Sequence, residues 1–422
     1  MIAVFERSNR FSNTLSDESL SQDSPASVII HQPDNLQKES ITDMYQYQQT
    51  GRFFAQCAEG LEQLTAEEIT GLGSDNVTPV FRGVYFDGGA ETLYRTVYSS
   101  RLASRVLAPL ITFDCHSTKY LYKTAKDIVW SDFMTTHDTF AVMASTAHSK
   151  IRHSRHAALV LKDAVVDWFR DRDGIRPDVD AKKPDVQLHL RIEDNRAIIS
   201  IDAGGGPMHR RGYRKHQVDA PMQETLAAAI IRLSGWNGEC PLYDPFCGSG
   251  TLLAEALMHV CRIPAGYRRK TFGFTRLPDY DDDLWQSIRA GENALIKPLP
   301  KGLISGSDLS TEAKAASRGN LSFLPGGGDI TIKTLDFRTI DSLRDCVIVM
   351  NPPYGLRSNP QEDMANFYHD LGEFLKHRCT GSIAYIYFGE RSLLRNIALR
   401  KTWKQDLKNG GLDGTLCKFE LY

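Results

Sequence analysis

From residue 51 onward, apolar and polar positions follow short, regular periods. Arg52–Cys57 reads as a short strand, and Gly60–Ile69 carries apolar residues at helical spacing until Gly71 and Gly73 stop it. Arg82–Asp87 alternates like a second strand and Glu91–Leu102 predicts a helix, which marks a small α+β unit over 51–117. A second unit over 118–203 has an element at Tyr120–Ile128, a strand at Thr139–Ser145 and a helix at Ala157–Arg170. Strands at Val186–Glu193 and Ala197–Ala203 complete it. The run Gly204-Gly-Gly-Pro207 opens a linker, 204–220. Over 221–422, helical stretches alternate with apolar strands at Cys240–Tyr243, Gly302–Ser305, Asp345–Met350 and Ser382–Phe388. That alternation predicts an α/β domain with a parallel sheet and crossover helices.

The first 50 residues have no such period. They are rich in Ser, Gln, Asn and Asp, and predict a disordered tail. A secretory leader would need a basic start and an apolar run, and this stretch has neither.

Composition narrows the class. A length of 422 residues, 41% hydrophobic and 24% charged, excludes a collagen-like or wholly disordered chain and allows two or three domains. No apolar run approaches the length of a membrane span. The eight cysteines form no CxxC pair, so they read as reduced thiols of a cytoplasmic protein. Net charge is −2, but residues 1–50 hold three basic and seven acidic residues, which leaves the remainder at +2.

Two segments carry chemistry. In Pro241-Leu-Tyr-Asp-Pro-Phe-Cys-Gly-Ser-Gly-Thr251, a strand ends at a carboxylate, turns through two spaced glycines and enters the helical run Leu252–Val260. Glycines permit positive φ and close approach of a ligand, and the free N–H groups of a helix start favour an acceptor-rich group. The Lys-Ser/Thr of a P-loop and a GxGxxG are both absent, which disfavours a nucleoside triphosphate and a dinucleotide. A purely structural turn would explain this loop equally well. The second segment, Val347-Ile-Val-Met-Asn-Pro-Pro-Tyr354, is an apolar strand that delivers Asn351 to its carboxyl end. An amide oxygen, a stiff turn carbonyl and an aromatic ring together suit a planar base with an exocyclic amine. A rigid loop with an Asn cap is the competing reading of Asn-Pro-Pro alone.

Together the two segments resemble the S-adenosylmethionine loop and the Asn-Pro-Pro-Tyr motif of amino-methyltransferases. The closer resemblance is to the bacterial 23S rRNA guanine-N2 methyltransferases with an N-terminal THUMP domain. Further matching stretches are Phe53–Glu62, Leu161–Asp167, Arg176–Val179, His209–Arg214, Ala220–Ala229 and Gly306–Asp308, in collinear order. The resemblance implies a Rossmann-like, S-adenosylmethionine-dependent methyltransferase domain preceded by an α+β ferredoxin-like and THUMP RNA-binding region. Some family members fuse a second methyltransferase, and with Tyr422 as last residue this chain is expected to lack it.

The resemblance also implies residue roles. Asp244 and the loop Phe246, Cys247, Gly248, Ser249, Gly250 and Thr251 would cradle the methionine part of the cofactor. Asp308 would hold the ribose hydroxyls, with an N-cap as its plainer role. Asp336 and Phe337 would contact adenine, a site that a surface turn explains nearly as well. Pro221–Thr225, with Glu224 and Thr225, would close over the cofactor, although a plain helix start has the same pattern. Asn351, Pro352, Pro353 and Tyr354 would be catalytic: the Asn351 side chain and the Pro352 carbonyl accept from guanine N2–H, and Tyr354 stacks on the extruded base. Catalysis would then be mostly orientation, with no metal or dedicated base.

For RNA, two basic runs stand out. One is His148–His156 with Lys150, Arg152 and Arg155, and the other is His209–His216 with Arg210, Arg211, Tyr213 and Arg214. An ordinary solvated face is the bland alternative for both. The histidines of the first run have no Cys or carboxylate ligand set, so no metal is expected. Alternative functions are a tRNA guanine-N2 methyltransferase of the same architecture, adenine-N6 methylation of DNA, and a non-catalytic RNA-binding protein.

Overall fold

The computed structural model describes residues 44–216, 222–354 and 363–422, and residues 44–422 form one compact unit. Most of the expected tail lies outside the described residues. Its last residues, 44–50, do not belong to a tail, because Gln46–Thr50 is helical and Tyr47 is buried. The Tyr47 hydroxyl donates to Asp279 Oδ1 at 2.5 Å and the Tyr45 hydroxyl to Asp132 Oδ2 at 2.7 Å. These two tyrosines tie the segment down, and a composition dominated by polar residues concealed them.

The N-terminal half is one eight-stranded sheet rather than two. Its strands are β1 (Arg52–Gln56), β2 (Asp75–Val80), β3 (Gly83–Asp87), β4 (Arg105–Asp114), β5 (Thr139–Ala147), β6 (Asp178–Val179), β7 (Val186–Glu193) and β8 (Arg196–Asp202). They run in the order β2-β3-β1-β4-β8-β7-β5-β6. The strand that fuses the two α+β units is β4, which pairs with β1 on one side and with β8 on the other. The strand pattern missed β4 because Pro109 interrupts it. The ladder accommodates that proline with a register shift between Pro109 and Ile111, as proline inside a sheet requires.

The second sheet contains β9 (Leu242–Asp244), β10 (Ile304–Asp308), β11 (Thr331–Thr334), β12 (Val347–Met350), β13 (Ile383–Phe388), β14 (Trp403–Asn409) and β15 (Leu412–Glu420). Their order is β11-β10-β9-β12-β13-β15-β14, parallel from β11 to β13 and closed by an antiparallel hairpin. Every residue of β12 is buried, as expected for a strand covered on both faces.

The two halves interlock. Phe272, Phe274, Leu277, Trp285 and Ile288, all from the second half of the sequence, join the core of the first sheet. Tyr94 stacks on Phe274 with ring centroids 4.5 Å apart, and Trp285 meets Tyr98 edge-on at 5.2 Å. Residues 204–216 of the expected linker are packed: Arg269 donates to the carbonyls of Gly204 and Pro207, and Met208 is buried. No helix among the described residues is long and apolar enough to cross a membrane.

Candidate functional site

Three neighbouring parallel strands end at one edge of the second sheet, and each delivers one polar side chain there. In the order β10-β9-β12, Gly306 lies opposite Asp244 and Ile348 opposite Tyr243. Asp244 closes β9, Asp308 closes β10, and Asn351 follows the last residue of β12. This is the edge at which open α/β sheets hold ligands.

The loop after β9 folds back across β10. The Cys247 N–H donates to the Ser307 carbonyl at 3.0 Å and the Gly250 N–H to the Cys247 carbonyl at 2.7 Å. Gly248 and Gly250 have φ of +50° and +82°, and a Cβ on Gly250 would lie 2.4 Å from Ser317 Oγ. Only glycine fits position 250. Thr251 then opens the helix Thr251–Val260, whose first N–H groups have no intrahelical acceptor.

Asp308 holds this loop in place. Its Oδ2 accepts from the Gly248 N–H at 2.9 Å and its Oδ1 from the Ser310 N–H at 3.0 Å. The N-cap of the next helix is Ser310, which accepts from Ala313 at 3.1 Å. Asp244 accepts from the Phe246 N–H at 2.9 Å. Burial pushes the Asp244 carboxyl well above the ordinary carboxylate value; the Phe246 N–H opposes that and the like charge of Asp308 adds to it.

Asp336 caps a short turn, Phe337–Thr339, by accepting from the Arg338 N–H at 2.9 Å. Phe337 is buried, with its ring 5.3 Å from Phe246 and 5.4 Å from Phe367, so a surface turn does not describe it. Glu224 and Thr225 start the helix Glu224–Leu233, and both are buried. Burial raises the Glu224 carboxyl, with Arg214 pulling it down. Pro221 lies outside the described residues.

Asn351 is one of several residues with a buried polar atom that meets no partner among the described residues, and it stands at the strand end. Its Oδ1 is shut off from solvent and meets no hydrogen-bond donor among the described residues. Leaving a buried carbonyl oxygen unpaired costs about 1–3 kcal/mol, so the position calls for a donor that the described residues do not supply. The rest of the motif is braced: the Tyr368 hydroxyl donates to the Pro353 carbonyl at 3.2 Å. The Tyr354 ring lies against Gly389, where a Cβ would come 2.7 Å from Tyr354 Cε1.

The second basic run is largely turned inward, and its expected RNA contacts need correction. Arg211 and Tyr213 are each 1% exposed. Arg211 Nε meets Glu255 Oε1 at 3.4 Å and its Nη1 donates to the Met208 carbonyl at 2.8 Å, while the Tyr213 hydroxyl donates to Glu255 at 3.3 Å. Both are thus spent on a buried carboxylate of the loop helix. Arg214 Nη2 donates to Thr251 Oγ1 at 2.9 Å and to the Met222 carbonyl at 2.7 Å, with Glu224 at 3.5 Å. It joins the start of the helix Thr251–Val260 to the start of the helix Glu224–Leu233. Lys150, Arg152, Arg155 and Arg210 are exposed, and Lys150 and Arg152 line an open concavity of about 500 Å³ with His148 and Asn195.

Two site residues escaped the sequence pattern. Asn320, fully buried in the helix Thr311–Leu321, donates to the Ser249 carbonyl at 3.0 Å and the His216 carbonyl at 2.8 Å. Its Oδ1 accepts from Lys215 and His216. Tyr368, the brace on Pro353, is the other. Neither stands in a motif; a polar residue on the apolar face of its helix was the only available hint.

The sequence matches three family models: a ferredoxin-like domain of RlmL over residues 52–107, a THUMP domain over 115–202, and an RMKL-like methyltransferase domain over 211–418. A Synechocystis protein named "Putative RNA methyltransferase" is 38% identical over 88% of this chain and 97% of its own length. The ribosomal RNA large subunit methyltransferase K/L of Syntrophotalea carbinolica is 35% identical over 88% of this chain, which spans about half (53%) of that relative. A solved structure described as "a putative methyltransferase complexed with SAH" superposes with a TM-score of 0.76 at 24% identity, covering 88% of this chain and 98% of the other; it shows the fold. The three family matches and the Synechocystis relative, matched over 97% of its own length, agree with the strand-end carboxylates and the glycine loop: the chain belongs to the family of THUMP-domain proteins with an RMKL-like methyltransferase domain.

Proposed function

We propose that the protein is an S-adenosylmethionine-dependent RNA methyltransferase, acting on the exocyclic N2 amine of a guanosine in 23S rRNA. The observation that carries the reading is Asn351 Oδ1, an acceptor buried at the strand end beside the glycine loop and without a partner among the described residues. The names of the relatives and the THUMP match support an RNA substrate. The site fits the cofactor chemically. Gly248 and Gly250 leave room for close backbone approach, and the Asp244 and Asp308 carboxylates suit a ligand with cationic groups and a ribose diol.

When bound, S-adenosylmethionine supplies a methyl on a positively charged sulfur. The protein's part is orientation. Asn351 Oδ1 and the Pro352 carbonyl accept the two N2–H hydrogens, which aims the nitrogen lone pair at that carbon. The methyl that the cofactor would supply would pass to N2 with the bonding pair staying on sulfur, while Asn351 and the Pro352 carbonyl hold the amine and its proton is released to water. Tyr354 supports the unstacked base, and Lys150, Arg152, Arg155 and Arg210 offer exposed positive charge to the backbone. Asp336 and Phe337 would border the adenine, with Glu224 and Thr225 closing the far side.

The test is tritiated methyl transfer to naked 23S rRNA, to assembled large subunits and to tRNA, each from a strain lacking the gene, followed by nucleoside analysis. N2-methylguanosine in 23S rRNA is expected. A different methylated nucleoside, or labelling confined to tRNA, overturns the assignment.

A further inference from the structure

A third basic stretch lies beside the Asn-Pro-Pro-Tyr motif. Over residues 389–404 there are five basic residues, Arg391, Arg395, Arg400, Lys401 and Lys404, against one acidic residue, Glu390. Arg391 pairs with Asp406 at 3.4 Å and anchors the stretch. Arg395, Arg400, Lys401 and Lys404 are exposed and have no carboxylate partner among the described residues.

The stretch touches the motif at its start and, further on, the helix that braces the motif. At its start, Gly389 lies under the Tyr354 ring. Further on, the Ile397 carbonyl comes so close to Gly372 that a Cβ there would lie 2.0 Å away. Gly372 is one helical turn beyond Tyr368, on the same face of the helix Met364–Arg378. Tyr368 is the residue that braces Pro353. One helix face therefore fixes both the motif and the basic stretch. Leu393, Leu394, Ile397 and Leu399 pack inward on the core of this half, which leaves the cations pointing out. Ala398 has φ of +50°, a strained conformation for alanine that persists only where the surroundings enforce it.

We propose that residues 391–401 form a second nucleic-acid contact, in which Arg395, Arg400 and Lys401 hold the phosphates that flank the target nucleotide. A base that leaves its stack to lie on Tyr354 brings its own two phosphates with it. Exposed cations on the stretch that starts at Gly389, under the Tyr354 ring, are suited to clamp them, because the guanidinium fork matches phosphate geometry. This rests on the methyltransferase reading for its RNA, but its binding test does not.

The probe is a fluorescein-labelled single-stranded oligouridylate, titrated by anisotropy with the whole protein between 50 and 300 mM salt. For single strands each phosphate contact contributes about 0.7 to the slope of log affinity against log salt. Arg395→Ala with Lys401→Ala should lower that slope by about 1.4 and weaken binding roughly tenfold at 0.1 M salt. Melting temperature should stay within about 2 °C, since neither side chain is buried. An unchanged slope and affinity in the double variant, or no oligouridylate binding by the wild-type protein, overturns the proposal. Failure of wild-type methyl transfer with the slope change intact would sink the function reading alone.

Discussion

The backbone N–H of Gly248 donates to Oδ2 of Asp308 across 2.9 Å, so the loop after β9 is shaped by the side chain that ends β10. Asp308 accepts from Ser310 with its other oxygen, so one carboxylate organises the turn and the start of the next helix. Asp308→Ala removes both acceptors, each worth about 1.5–3 kcal/mol for a charged group. S-adenosylmethionine affinity measured by calorimetry should fall by at least about tenfold, with Asp308→Asn in between. Wild-type affinity in the alanine variant would refute the role of this carboxylate.

Asn351 should separate activity from stability. Asn351→Ala deletes a buried oxygen that has no partner among the described residues, so stability in urea should hold or rise by up to about 1 kcal/mol. Methyl transfer should drop by about 10²-fold because the amine loses its orientation. Full activity in this variant would sink the mechanism.

Asp244 predicts a pH dependence. Its carboxyl is raised in the folded state from the ordinary value of 3.8, so the native protein binds this proton more tightly than the unfolded chain. The stability it contributes is complete below 3.8 and is lost as pH rises through the raised value. In urea titrations at several pH values without cofactor, the wild type should lose stability relative to Asp244→Asn as pH climbs above about 4. Parallel curves for the two proteins would contradict the assignment.

Arg210 and Arg211 are adjacent and should behave oppositely. Arg211→Ala leaves the fully buried Glu255 without its ion-pair partner, with only the Tyr213 hydroxyl bond kept among the described residues, which costs up to about 3–5 kcal/mol and lowers the melting temperature. Arg210→Ala removes an exposed charge, so it should leave melting unchanged and reduce only the affinity for RNA. Equal melting temperatures for the two variants would show that the buried ion pair is not structural.

The chain's local order announced the catalytic half. Strands β12 and β13 read as uninterrupted apolar runs because strands inside an α/β sheet are buried on both faces, and the end of β12 carried Asn351 in plain view. The glycine loop was legible for a similar reason: strand, carboxylate, two glycines and helix are consecutive, so the site's chemistry is written in neighbouring residues. Tertiary structure decided what depends on distant partners. Residue type marks Arg211 and Tyr213 as a basic, aromatic surface, but Glu255, more than 40 residues on, turns them inward. Residue type cannot say that Trp285 and Phe274 fill the other half's core, or that Pro109 sits in a strand whose neighbour begins at Arg196. Periodicity and motifs report a residue's immediate chain neighbours. Burial, pairing and the direction of a charge are set by residues far away in sequence.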